Sequence, residues 1–209
     1  KLSEAMKWIF NNTSAYRTYQ NRIVNSIYFD DVGFSSARDN LTGIANRNKF
    51  RLRWYGSKKN GVPIYEVKTK NGRLGSKKTY PINSANINLL DESIDRISSE
   101  CTKALERHNI IFDDYLLPTL QVSYEREYYQ TYEGIRITID HKIKFSDTQL
   151  HSKLHENNWL SYPSKVMEIK FEPNLKDLAS NLIKPLHLMP KRHSKYLVGL
   201  AVLGYAVYV

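Results

Sequence analysis

Residues 47–55 read Arg47-Asn48-Lys49-Phe50-Arg51-Leu52-Arg53-Trp54-Tyr55. Side chains along a β-strand point alternately to its two faces. Read as a strand, this segment puts Arg47, Lys49, Arg51 and Arg53 on one face and Phe50, Leu52 and Trp54 on the other. The apolar face has to be buried against a core. The cationic face then looks at water or at an anion.

The same sorting recurs along the chain. In Tyr65–Lys70, Glu66, Lys68 and Lys70 oppose Tyr65 and Val67. In Ile135–Phe145, Arg136, Thr138, Asp140, Lys142 and Lys144 oppose Ile135, Ile137, Ile139, Ile143 and Phe145. Glu168 and Lys170 oppose Met167, Ile169 and Phe171, and Tyr124, Arg126 and Tyr128 share a face. An ordinary half-solvated antiparallel sheet also alternates in this way. The difference here lies in the composition of the polar faces, where cations dominate and carboxylates are single and scattered. Like charges side by side on one face repel, and a counter-anion would relieve that repulsion. If such a sheet curls into a barrel, its polar faces line an interior able to hold a ligand. Guanidinium forks match phosphate oxygens and lysines add point charge, so a chain of phosphates is the expected occupant.

The chain has 209 residues and a formal charge of +10, which suits one compact domain over residues 1–209 with polyanionic ligands. A single cysteine, Cys101, excludes an internal disulfide and a Cys-rich zinc site and fits a reducing, cytoplasmic setting. Nucleic acid is not expected as a partner. Single-strand binders interleave aromatics with cations, whereas Phe50, Leu52 and Trp54 face away from the arginines and only Tyr124 and Tyr128 flank one. The longest apolar run, Leu197–Val209, has 13 residues. That falls short of the ~20 that span a bilayer, so it reads as a buried helix or strand. Any membrane association would come through regions outside this chain. The three Asn-x-Ser/Thr matches near the start read as chance.

The periodicities predict helices over 2–11, 89–108 and 175–183 and from Ser194 onward, and strands over 25–30, 47–55, 64–70, 121–130, 134–145 and 165–172. Residues 31–46 read as a polar loop, 57–61 as a turn and 71–79 as a basic, turn-rich loop; 147–163 is polar without a clear period. Cys101 falls on the apolar face of the longest helix. His151 and His155 are four apart but lack a third ligand and read as surface, as do Lys58, Lys59, Lys191 and Arg192.

The ordered set Asn25–Asp30 (NSIYFD), Lys49–Gly56 (KFRLRWYG), Tyr65–Lys70 (YEVKTK), Tyr124–Tyr129 (YEREYY) with Ile135–Phe145, Val166–Phe171 (VMEIKF) and His193–Gly199 (HSKYLVG) resembles the VTC domains of polyphosphate polymerases, within the triphosphate tunnel metalloenzyme or CYTH-like superfamily. The resemblance runs from about Asn25 to Gly199. It implies an α+β fold: an eight-stranded antiparallel β-barrel, the triphosphate tunnel, with helices packed outside. Relatives open with a strand bearing Glu and Lys residues that face the tunnel. By this resemblance the sequence is expected to open at the following helix, without that first strand.

The implied activity is metal-dependent phosphotransfer, moving the terminal phosphate of ATP onto a polyphosphate chain. By motif position the resemblance makes Arg51, Arg53, Lys68, Arg126 and Arg136 catalytic. Arg47, Lys49, Lys70, Lys77, Lys78, Lys142, Lys170, Lys195 and Tyr28 would bind substrate, and Glu168 would ligate Mn²⁺ or Mg²⁺. Glu66 and Asp140 would orient the arginines rather than bind metal. ATP, polyphosphate or another triphosphate is the implied partner. Two alternatives stay open: a tripolyphosphate or triphosphate hydrolase, and a non-catalytic polyphosphate-binding module.

Overall fold

The computed structural model describes residues 2–57, 62–72, 74–82, 89, 91–110, 115–148, 152–154, 158–186 and 188–205. The first elements are helix α1 (Leu2–Asn12), strand β1 (Tyr16–Asp30), helix α2 (Ser35–Thr42), then strands β2 (Asn46–Tyr55), β3 (Ile64–Asn71) and β4 (Leu74–Pro81). Helix α3 (Ile94–Glu106) and strands β5 (Leu117–Gln130), β6 (Arg136–Ser146), β7 (Leu160–Tyr162) and β8 (Val166–Lys170) follow. Helices α4 (Lys176–Ile183) and α5 (Lys195–Val202) complete the set.

The strands form an eight-stranded sheet in the order β4-β3-β2-β1-β5-β6-β7, with β8 also paired to β6. Pairing is antiparallel between β1 and β2, β2 and β3, β3 and β4, and β6 and β8. The α+β antiparallel architecture expected from the sequence is therefore present. The hydrogen-bonded order is an open path: among the described residues, no pairing joins β4 to β7 and closes the sheet into a barrel.

The residues group into two compact units. The larger comprises 24–123, 144–162 and 194–209. Its core follows from the alternation in β2: Phe50, Leu52 and Trp54 pack with Ile27 and Phe29 of β1, Tyr65 and Val67 of β3, and Ile94, Ile97, Cys101, Ala104 and Leu105 of α3. The α3 residues recur at helical spacing, so one stripe faces the sheet. Each large side chain so buried contributes about 1.5–3 kcal/mol relative to exposure. Helix α5 lies close in: a Cβ added at Gly199 would meet Leu120 Cδ2 at 2.5 Å and Phe145 Cδ1 at 2.7 Å, distances no side chain tolerates.

Helix α2 occupies part of the stretch expected to be loop. Its start is set by carboxylates: Asp30 accepts the Ser36 and Ala37 backbone N–H groups at 2.9 and 3.1 Å, and Asp31 accepts from Ser35. Side-chain oxygens supply partners that the first turn of a helix lacks.

The smaller unit comprises 1–23, 124–143 and 163–193. Its core joins Trp8 and Ile9 of α1, Tyr129 of β5, Ile135, Ile137 and Ile139, and Ala179 of α4. Trp8 Nε1 donates to the Leu182 carbonyl at 2.9 Å and anchors α1 to α4. Among the described residues, no helix is long and apolar enough to cross a membrane.

Candidate functional site

Cross-strand register turns the sequence pattern into a surface. Between β2 and β3, Arg47 stands opposite Lys70, Lys49 opposite Lys68, Arg51 opposite Glu66 and Arg53 opposite Ile64. Between β3 and β4, Lys70 stands opposite Gly75, Lys68 opposite Lys77 and Glu66 opposite Thr79. Residues directly opposite each other share a face. The result is three rows across the strands: Arg47–Lys70–Gly75, Lys49–Lys68–Lys77 and Arg51–Glu66–Thr79. A pocket of about 320 Å³ is lined by Arg47, Lys49, Lys68, Lys70 and Gly75. Gly75 borders open space: a Cβ there would have nothing within 4 Å.

Glu66 is the carboxylate of this surface, and it is buried. Its Oε2 accepts from Arg51 Nε at 2.6 Å, and its Oε1 lies 3.2 Å from Lys77 Nζ. Burial alone would raise its pKa. The Arg51 charge and hydrogen bond, helped by Arg53 and Lys77, reverse that and hold it below the ordinary glutamate value. Glu66 thus orients Arg51, as expected, and partly neutralises one row.

Among the described residues, no carboxylate is paired with Lys49. Its Nζ donates to Ser194 Oγ, 3.1 Å away at the start of α5. Burial, then the charges of Arg47, Lys68 and Arg51, push its pKa down to about 8. Desolvation and like charges both disfavour an ammonium. Arg47 is steadied by the Ile44 carbonyl, which accepts from its Nη1 at 2.6 Å. Arg53 lies over the Tyr55 ring at 4.7 Å, with its Nε buried and lacking a hydrogen-bond partner.

The other expected residues of this unit fall as follows. Lys77 joins the cationic face. Lys78 does not: it stands opposite Val67, on the face that leads to the core, and its side chain is exposed at the sheet's outer strand. Tyr28 is opposite Arg51 but buried, its ring stacked on Tyr196 at 5.2 Å. Tyr196 donates to Asp30 at 2.6 Å, and Thr119 Oγ1 lies 3.1 Å from the Tyr28 carbonyl. This network fixes α5 against β1, with Lys195 opening the helix beside Ser194. Sequence reasoning passed over Ser194, Asp30 and Thr119. Their partners lie far away in the chain, and no local period marks them.

The smaller unit holds a second set. Arg126 Nε and Nη2 donate to the two oxygens of buried Asp140 at 2.5 and 2.8 Å. Burial works against the guanidinium charge, but the Asp140 hydrogen bonds, with Tyr124, Asp140 and Glu168 as further influences, raise its pKa. Asp140 therefore orients an arginine, as expected. Across β6 and β8, Arg136 stands opposite Lys170 and Thr138 opposite Glu168. Glu168 is exposed and 3.3 Å from Lys170. Lys142 departs from the expected alternation. Its φ is +50°, a left-handed turn within β6, and its Nζ lies 2.8 Å from Glu125, which alternates with Arg126 along β5. The backbone twist thus takes Lys142 from the Asp140 face to that of Glu125.

A divalent metal was expected on Glu168. Among the described residues, no group of three His, Cys, Asp or Glu side chains could hold one. A single exposed carboxylate beside a lysine fits a Mg²⁺ or Mn²⁺ ion held mainly by phosphate oxygens and water. It does not fit a protein-built cage. His151, His155, Lys58 and Lys59 lie outside the described residues; Lys191 and Arg192 are exposed, as expected.

The chain is similar in structure to a protein titled PH1819 from Pyrococcus horikoshii OT3, at 14% identity and a TM-score of 0.47, covering 95% of this chain and 93% of that one. It is also similar to a structure from Hippeastrum, titled as a putative adenylyl cyclase, HpAC1, that reveals a dominant triphosphatase activity; identity is 13%, TM-score 0.49, and coverage 88% and 84%. No curated protein sequence matches the chain. A family model described as the VTC domain matches residues 2–204, nearly the whole length, and the chain therefore belongs to the VTC domain family.

Proposed function

We propose that this chain binds linear phosphate chains and moves the terminal phosphate of ATP onto polyphosphate. The observation that carries the proposal is the row Lys49–Lys68–Lys77, three lysines facing one another across adjacent strands beside an open pocket. Such a row is unfavourable without an anion. A run of phosphates offers negative charge at a comparable spacing and would turn each repulsion into an attraction. Family membership supports the same ligand class.

On this reading Arg51 and Arg53 grip the phosphates nearest the reacting bond. Glu66 keeps the Arg51 fork aimed, and the buried Nε of Arg53 is a donor in need of an acceptor. Lys68, Lys77 and Lys195, with Arg47, Lys49 and Lys70, hold the rest of the chain. Arg126, Arg136 and Glu168 enter through the resemblance of their motifs, as does the enclosed basic tunnel of which the β2–β4 surface would be one wall. A phosphate oxygen of the acceptor attacks the terminal phosphorus, and the bond to the bridging oxygen of the departing ADP breaks. Phosphoryl transfer needs mainly positioning and charge stabilisation, so no protein nucleophile is required. A divalent metal held at Glu168 would, when bound, supply further positive charge to the phosphate oxygens.

The test is incubation with ATP and Mn²⁺ followed by sizing of the phosphate products. Chains that lengthen with time support a polymerase. Free phosphate without lengthening identifies a hydrolase, and retained ligand binding without turnover identifies a binding module. An Arg51→Ala/Arg53→Ala variant is expected to lose turnover while keeping its circular dichroism spectrum.

A further inference from the structure

The geometry points to Lys49 as a site of covalent acylation by acyl phosphates, with the pocket's other cations docking the reagent's phosphate. Three features of the site converge on this. Lys49 lines an open pocket, so a small anion can reach it. Among the described residues, the cations of this face are Arg47 and Arg51 on its own strand, Lys68 and Lys70 on β3, and Lys77 on β4. The carboxylates of the flanking strands are engaged elsewhere: Glu66 of β3 with Arg51 and Lys77, and Asp30 at the end of β1 with the Ser36 and Ala37 N–H groups and the Tyr196 hydroxyl. At the start of α5 its amine meets the Ser194 hydroxyl rather than an acid. Among the described residues no carboxylate pairs with Lys49, and its lowered pKa of about 8 agrees with that geometry.

A lysine amine becomes a nucleophile when burial and neighbouring cations favour its neutral form. The chemistry balances without a further reactant. The neutral Lys49 nitrogen attacks the carbonyl carbon of the acyl phosphate and a C–N bond forms. The carbon–oxygen bond to phosphate then breaks, its electron pair leaves with the phosphate, and the proton shed by nitrogen goes to that leaving group. The product is an amide at Lys49 and inorganic phosphate. It removes the β2 charge of the Lys49–Lys68–Lys77 row, so acylation would weaken anion binding in the pocket. The inference rests on the anion affinity of the same pocket invoked under the proposed function.

The whole chain is treated with acetyl phosphate at pH 8 and the modified lysines are quantified by peptide mass spectrometry. Lys49 is expected to acetylate at least ~10-fold faster than exposed Lys191, because the pocket's cations gather the reagent around it and disfavour its ammonium form. A neutral aryl acetate, lacking the phosphate, is expected to show a smaller preference. Equal or slower modification of Lys49 with acetyl phosphate overturns the inference, and so does an undiminished preference with the neutral ester. Tripolyphosphate is expected to protect Lys49. Selective labelling that tripolyphosphate fails to slow would keep this inference and count against the proposed function.

Discussion

Two charged regions of this molecule handle their charge in opposite ways. On β2–β4, cations outnumber carboxylates: Glu66 serves Arg51 and Lys77, while Lys49 donates to a serine. In the smaller unit, Arg126 meets Asp140 through two hydrogen bonds, Lys142 meets Glu125 and Lys170 meets Glu168. In the second region Arg126, Lys142 and Lys170 each meet a carboxylate that fixes the side chain. The first keeps more cations than carboxylates, and an added anion would relieve their mutual repulsion. Stability and ligand affinity should therefore respond in opposite senses to charge removal in the two places.

The largest effect is expected at Asp140. Asp140→Ala leaves the Arg126 guanidinium, whose side chain is 13% exposed, without its acceptor. Breaking one side of a buried pair costs about 3–5 kcal/mol, and urea unfolding should show a loss of that order. Next is Gly199→Ala, whose methyl group would press on Leu120 and Phe145. Overpacking of this kind costs roughly 1–3 kcal/mol, measured in the same way, with the cationic surface chemically unchanged. Lys68→Gln should behave unlike either. It deletes one of three facing ammonium groups, so thermal unfolding of the unliganded protein should stay within about 0.5 kcal/mol of wild type or rise. A loss as large as that of Asp140→Ala would erase the contrast between the regions.

The pH response sharpens it further. Below about pH 8, Lys49 carries its proton in both folded and unfolded chains, and the folded row bears the full repulsion. Between there and the ordinary lysine value of 10.5, the unfolded chain binds a proton that the folded one does not. Unfolding free energy contributed by this group therefore rises with pH across that window. Affinity for a polyanion should fall over the same window as the charge is lost. Denaturation midpoints and ligand titrations at pH 7 and 9 check both signs. Because the slope comes from the Lys49 amine, the Lys49→Met variant should lack it.

Much of this was legible in the sequence where a strict period of two met a core. β2 and β3 show it: Phe50, Leu52, Trp54, Tyr65 and Val67 are buried, and the cations sit opposite. Other parts were silent for physical reasons. β4 was expected as a loop because seven of its eight residues, all but Tyr80, are exposed and carry no alternating apolar set. Its only buried anchor is Tyr80. The opening half of β1 was missed likewise: residues 16–23 are largely exposed, and pairing with β2 begins only at Val24. Lys77 and Lys78 could not be separated until register assigned them, and Lys142 depended on a positive φ that its type does not announce. The character of Lys49 was hidden as well, since it arises from Lys68 across the sheet and from Ser194, 145 residues away.

Calorimetric titration of tripolyphosphate into wild type and into a Lys49→Gln/Lys68→Gln variant, at one fixed salt concentration, tests the unbalanced cationic row most directly. Each lost charge-assisted contact is worth about 1.5–3 kcal/mol, so the variant is expected to bind at least ~100-fold more weakly while unfolding at or above the wild-type temperature. Equal affinity for the two proteins, with the variant still folded, would contradict the account.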